Sequence, residues 1–131
     1  MKLGYVIIYV EDVAETLAFY TTAFSLKTRF VHEGGDYAEL DTGSTALAFA
    51  AKQLGESNFP DGYTPLNSTL KPAGIEIALV TEDVATAFVA ALAAGATQIA
   101  PPVQKPWGQT VGYVQAPDGV LIELCTPVGG S

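Results

Sequence analysis

The feature that most constrains this chain is an internal repeat. Tyr5-Val-Ile-Ile-Tyr-Val-Glu-Asp-Val-Ala14 overlays Glu76-Ile-Ala-Leu-Val-Thr-Glu-Asp-Val-Ala85 without a gap, and both segments end in Glu-Asp-Val-Ala. A duplicated segment of this kind implies a duplicated supersecondary unit. In each copy an apolar, β-rich run meets an aspartate suited to cap a helix, Asp12 or Asp83, and an amphipathic stretch follows. Val13, Leu17, Tyr20 and Phe24 recur at helical spacing in the first copy, as do Val84, Phe88 and Leu92 in the second. Gly95 suits a left-handed helix end.

Short strands are expected after each helix. In the first half they cover about Lys27 to His32, Asp36 to Asp41 and Ser44 to Ala51. In the second they cover Thr97 to Ala100, Thr110 to Gln115 and Val120 to Thr126, with Pro117-Asp-Gly119 as the last turn. Each half therefore reads βαβββ, and the fold class is α+β. A single domain is expected, with one module over about 1–51, a linker loop without regular structure over 52–72, a second module over about 73–127, and a frayed tail at 128–131.

Composition narrows the function classes. Across 131 residues, 14 acidic side chains stand against 6 basic ones, so the net charge of -8 disfavours nucleic acid and anionic lipid. The apolar stretch from Val84 to Ala96 falls short of the ~20 residues that span a bilayer. The single cysteine, Cys125, excludes an internal disulfide and reads as a buried structural residue. These features fit a cytoplasmic protein that binds neither nucleic acid nor membrane.

The two βαβββ copies, Phe19-Tyr20 on the first helix, Lys105-Pro-Trp-Gly108, and Pro117-Asp-Gly-Val-Leu-Ile-Glu-Leu124 together resemble the vicinal oxygen chelate superfamily. That group includes glyoxalase I, extradiol dioxygenases, and fosfomycin and bleomycin resistance proteins. The resemblance implies a curved, barrel-like mixed sheet with an open cavity holding the site, and a homodimer. It also implies four equivalent site positions, on the first and last strands of each module: here Tyr5, Ala48, Glu76 and Glu123. Ala48 has no donor atom, and the one histidine, His32, lies elsewhere. An extradiol site of two histidines and a carboxylate is therefore excluded, and no cofactor is expected. A divalent metal on Glu76 and Glu123 remains the alternative.

Strands that neighbour each other lie ~4.8 Å apart. Glu76 and Glu123, placed side by side by the resemblance, would repel, and one pKa should rise. A shared proton, a metal or a cationic ligand would relieve this; outward-pointing side chains, or pairing with Lys71 or Lys105, would avoid it. Trp107 resembles the loop tryptophan that stacks on an aromatic ligand in bleomycin resistance proteins, and it equally suits a lid. Tyr9 shares strand parity with Tyr5, and Tyr113 is a further lining candidate. The candidate ligand-binding set is thus Tyr5, Tyr9, Ala48, Glu76, Trp107, Tyr113 and Glu123, with Glu76 and Glu123 as candidate catalytic groups. Three functions stay open: binding or sequestering a small aromatic or cationic compound; a glyoxalase-like lyase or isomerase using Glu76 and Glu123 as metal ligands or general base; and an interaction domain with no active pocket.

Overall fold

A computed structural model describes residues 1–129; Gly130 and Ser131, the end of the tail expected to fray, lie outside the described residues. The chain divides into two compact units, Met1–Leu66 and a second beginning at Asn67. In the first unit, β1 (Tyr5–Val10) leads into α1 (Val13–Phe24), followed by β2 (Lys27–Val31), β3 (Tyr37–Asp41), β4 (Ala46–Ala51) and α2 (Lys52–Asn58). The second unit runs β5 (Glu76–Val80), α3 (Val84–Ala93), β6 (Thr97–Gln104), β7 (Thr110–Gln115) and β8 (Leu121–Cys125).

The local signals act as their chemistry dictates. Asp12 Oδ1 accepts the Glu15 amide at 2.9 Å, and Asp83 Oδ1 accepts the Thr86 amide at 3.1 Å. Each aspartate thus satisfies one of the orphan donors of its helix. Gly95, at φ 118°, closes α3, with Ala96 N–H reaching Ala91 O and Gly95 N–H reaching Leu92 O. Prolines did not stop β6, which continues past Ala100 through Pro101-Pro102. It does so as an edge strand whose register shifts at Ala100 and Val103, where a missing N–H costs no ladder bond. The segment 52–72 is not wholly irregular, because Lys52–Asn58 forms a helix. Its Gly55 lets that helix approach Tyr9 and Tyr63, where a Cβ would lie 3.1 Å and 2.7 Å from their rings.

The two sheets have the same order, β1-β4-β3-β2 and β5-β8-β7-β6, with the first and last strands of each unit paired in parallel. This corrects the expectation of one curved, barrel-like mixed sheet with an open cavity. The strands form two separate mixed sheets with flanking helices, and each ends on two edge strands, β1 and β2 or β5 and β6. Closure into a barrel needs those edges paired, and among the described residues no strand ladder joins them.

Parallel pairing also fixes which side chains face the helices. In the first unit Phe49 is fully buried against Tyr20 of α1, with ring centroids 4.7 Å apart. In the second, α3 brings Phe88 within 3.1 Å of the Cβ position of Gly112, above buried Val114, Ile122 and Leu124. Truncating a fully buried aromatic leaves a cavity that its neighbours fill only in part. Phe49→Ala should therefore destabilise the protein by about 3–5 kcal/mol, read from the urea unfolding midpoint.

Candidate functional site

The alternation that buries Ile122 and Leu124 beneath α3 turns Glu123 to the opposite face of the second sheet. Glu76 lies on that face too. Glu76 pairs with Leu121 and Ala78 with Glu123, so the two glutamates are diagonal neighbours on adjacent parallel strands. Tyr113, directly across from Glu123 on β7, donates its hydroxyl to Glu123 Oε1 at 3.1 Å. Cys125, two residues along β8, is buried, its thiol donating to Leu79 O at 3.9 Å and lying beside the Glu123 carboxylate.

The two carboxyls compete for one proton. The hydrogen bond between them, then partial burial and the charge of Glu123, pushes the Glu76 pKa up to about 7. Burial alone would raise Glu123 as well, but hydrogen bonds from Glu76, Cys125 and Tyr113, with Lys105 nearby, hold it below the ordinary carboxylate range. Glu76 is therefore the member of the pair that takes up a proton first, while Glu123 stays ionised. Tyr113 is raised by burial and by the same carboxylate, and burial with Glu123 pushes the Cys125 thiol up to about 11. The thiol is a hydrogen-bond donor here, not a nucleophile.

Trp107 stands in the turn between β6 and β7. Gly108, at φ 99°, closes this turn with its N–H on Lys105 O at 2.9 Å, and Lys105 N–H binds Gln109 O at 2.7 Å. The indole is 63% exposed, and its Nε1–H donates to Gln109 Oε1 at 2.8 Å. Gln109 Nε2 donates to Thr126 O at 2.8 Å, so the indole is tied to the backbone one residue past Cys125 and three past Glu123.

The other predicted site residues belong to the first unit. Tyr5 on β1 is 60% exposed. Tyr9 is packed against Phe59 and Tyr63, with ring centroids 5.7 Å and 5.3 Å away. Ala48 is fully buried between Ile7 and Glu39 on the neighbouring strands.

Glu39 was not anticipated from the sequence. Only 7% exposed, it accepts the Tyr37 hydroxyl at 2.8 Å and has Arg29 at 4.0 Å. Burial, then the bond to Glu39, pushes Tyr37 up to about 12. Glu39 faces Ala48 across the first sheet as Tyr113 faces Glu123 across the second, so this rung carries one carboxylate in each unit, on different strands. The alternation in Tyr37-Ala-Glu-Leu-Asp41 was the available signal.

The divalent metal implied by part of the resembling family fails a test of donor chemistry. Of the four equivalent positions Ala48 has no donor, and only Glu76 and Glu123 are carboxylates. No three His, Cys, Asp or Glu side chains come together as a possible ion site among the described residues. The residues do not fit such a metal.

The competition for a proton has a measurable consequence. The carboxyl carbon NMR shift of Glu76 should titrate near pH 7 and fall back toward 4.5 in Glu123→Gln. Because the folded pKa lies above the unfolded one, the Glu76 contribution to stability is complete below pH 4.5 and lost as pH rises through 7. Glu76→Gln should accordingly flatten the fall in unfolding midpoint across that window.

The sequence matches the Glyoxalase/Bleomycin resistance protein/Dioxygenase superfamily over residues 2–124. No curated protein sequence matches it significantly. Among solved structures it is similar to a glyoxalase-related enzyme from Fulvimarina pelagi, at 19% identity and TM-score 0.82, covering 97% of this chain and 88% of that one. It is also similar to a glyoxalase/bleomycin resistance protein/dioxygenase family enzyme from Burkholderia phytofirmans PsJN, at 23% identity and TM-score 0.77, covering 96% and 98%. TioX from Micromonospora sp. ML1 matches at 19% identity and TM-score 0.70, covering 96% and 98%. These identities carry the fold alone. No helix among the described residues is long and apolar enough to cross a membrane. With the duplicated units and the match over residues 2–124, the chain belongs to the Glyoxalase/Bleomycin resistance protein/Dioxygenase superfamily.

Proposed function

We propose that this protein binds and sequesters a small aromatic, cationic molecule. The observation that carries this reading is the carboxyl pair Glu76–Glu123, with Tyr113 bonded to Glu123 and the exposed Trp107 tied by Gln109 to Thr126, three residues past Glu123. An ionised Glu123 supplies the counter-charge. Glu76 can release its proton near neutrality when a cation arrives, so the site adapts from one negative charge to two. An indole or phenol face adds ~0.5–2 kcal/mol for a cation placed over it, depending on desolvation. The acidic total charge favours cations at longer range. As in the resembling family, a homodimer is the expected assembly.

Trp107 is the single tryptophan, so its emission reports directly on this region. Titration with proflavine, a flat aromatic monocation, should quench Trp107 fluorescence, and affinity should rise as pH passes upward through 7. Glu123→Gln should weaken binding by about tenfold, the equivalent of ~1.4 kcal/mol. Failure of proflavine and of other aromatic cations to bind below millimolar concentration would overturn the proposal.

One observation favours a second reading. A carboxyl group poised at about 7 is matched to proton abstraction at neutral pH, so Glu76 also suits a metal-free isomerase acting next to a carbonyl. In that case the protein should exchange deuterium from water into the α-position of one of a panel of α-hydroxy carbonyl compounds. Glu76→Gln should abolish the exchange, followed by proton NMR.

A further inference from the structure

Gln109 makes the connections that hold Trp107 in its orientation. The turn that carries the indole projects from the end of the β6–β7 hairpin, and an exposed side chain there would ordinarily sample several rotamers. Here the indole N–H, which can only donate, meets Gln109 Oε1 at 2.8 Å. The other end of the same amide donates from Nε2 to Thr126 O, also at 2.8 Å. Thr126 is in turn tied to β7 twice, by its N–H to Thr110 O at 3.0 Å and by its Oγ1 accepting the Thr110 N–H at 2.9 Å. The amide is thus satisfied at both ends. It spans from a solvent-exposed ring to the backbone just past β8, one residue after Cys125 and three after Glu123.

We propose that Gln109 is a positioning residue: it holds the Trp107 indole in one orientation relative to the carboxyl pair and so makes the site select flat aromatic cations over aliphatic ones. The selectivity rests on the binding reading above; the orientation does not. A ring fixed before binding loses no rotamer freedom when a ligand stacks on it, and that saving is available only to ligands with a π face. The carboxylates attract aromatic and aliphatic cations alike. Removing Gln109 should therefore change which cations bind more than whether cations bind.

Time-resolved fluorescence anisotropy without ligand tests the orientation. In the wild-type protein Trp107 should tumble with the molecule as a whole, whereas Gln109→Leu should add a fast local component. Gln109→Glu keeps an acceptor for the indole N–H but loses the donor to Thr126 O, so it should hold the ring less well than glutamine and better than leucine. A loose indole in the wild-type protein, or equal loosening in both variants, would overturn the inference while leaving the binding reading intact. Calorimetric titration then tests the selectivity. Gln109→Leu should weaken proflavine binding about three- to tenfold and leave cyclohexylammonium binding within about twofold. Equal losses for both cations would mean that Gln109 acts through general structure, against the inference. An ordered indole in a protein that binds neither cation would instead overturn the binding reading, and the selectivity with it.

Discussion

Everything at the candidate site depends on the parallel pairing of the first and last strands within each unit. Adjacent parallel strands place side chains of like parity on one face, and in the second unit the opposite face is claimed by α3. Ile122, Leu124 and Val114 go beneath that helix because burying them there removes apolar surface from water. Glu123 and Glu76 are then carried to the other face by geometry, whatever their own preference for water. A carboxyl pair on a sheet is the consequence of packing elsewhere.

Once the two carboxyls are neighbours, electrostatics decides their states. Two ionised groups would repel, so they compete for one proton, and the environment assigns it. Glu123 collects hydrogen bonds from Tyr113 and Cys125 and has Lys105 nearby, whereas Glu76, exposed at the edge strand, has Glu123 as its main partner. The asymmetry yields one fixed charge and one group that changes charge near neutral pH. This combination suits a cationic ligand, whereas the single histidine of the chain, away from these donors, is what denies nitrogen-rich metal chemistry a foothold.

Much of this was legible in the sequence because it is local. The caps at Asp12 and Asp83, the helical stripes, the strand alternation and the repeat itself involve residues a few positions apart. Relations between strands were harder. The repeat located Ala48 as the counterpart of Glu123 and found no donor there, but it could not show that Glu39 sits across from Ala48 with Tyr37 and Arg29 around it. Gln109 passed unnoticed for the same reason: its partners Trp107 and Thr126 are joined only after the hairpin forms. Pro101 and Pro102 read as a strand end, yet an unpaired edge tolerates them. The barrel-like sheet came from resemblance, and the strand ladders form two separate sheets instead.

The sequence by itself determined two copies of one βαβββ unit, the parity of each strand, and the scarcity of histidine that removes part of the family's chemistry. These depend on residue type and spacing along the chain. Tertiary structure alone decided that Glu76 rather than Glu123 has the raised pKa, that Tyr113 bonds Glu123, and that Gln109 accepts the indole N–H. Those outcomes depend on distances of a few ångströms between strands, and such distances exist only once register is set by the packing of the opposite face.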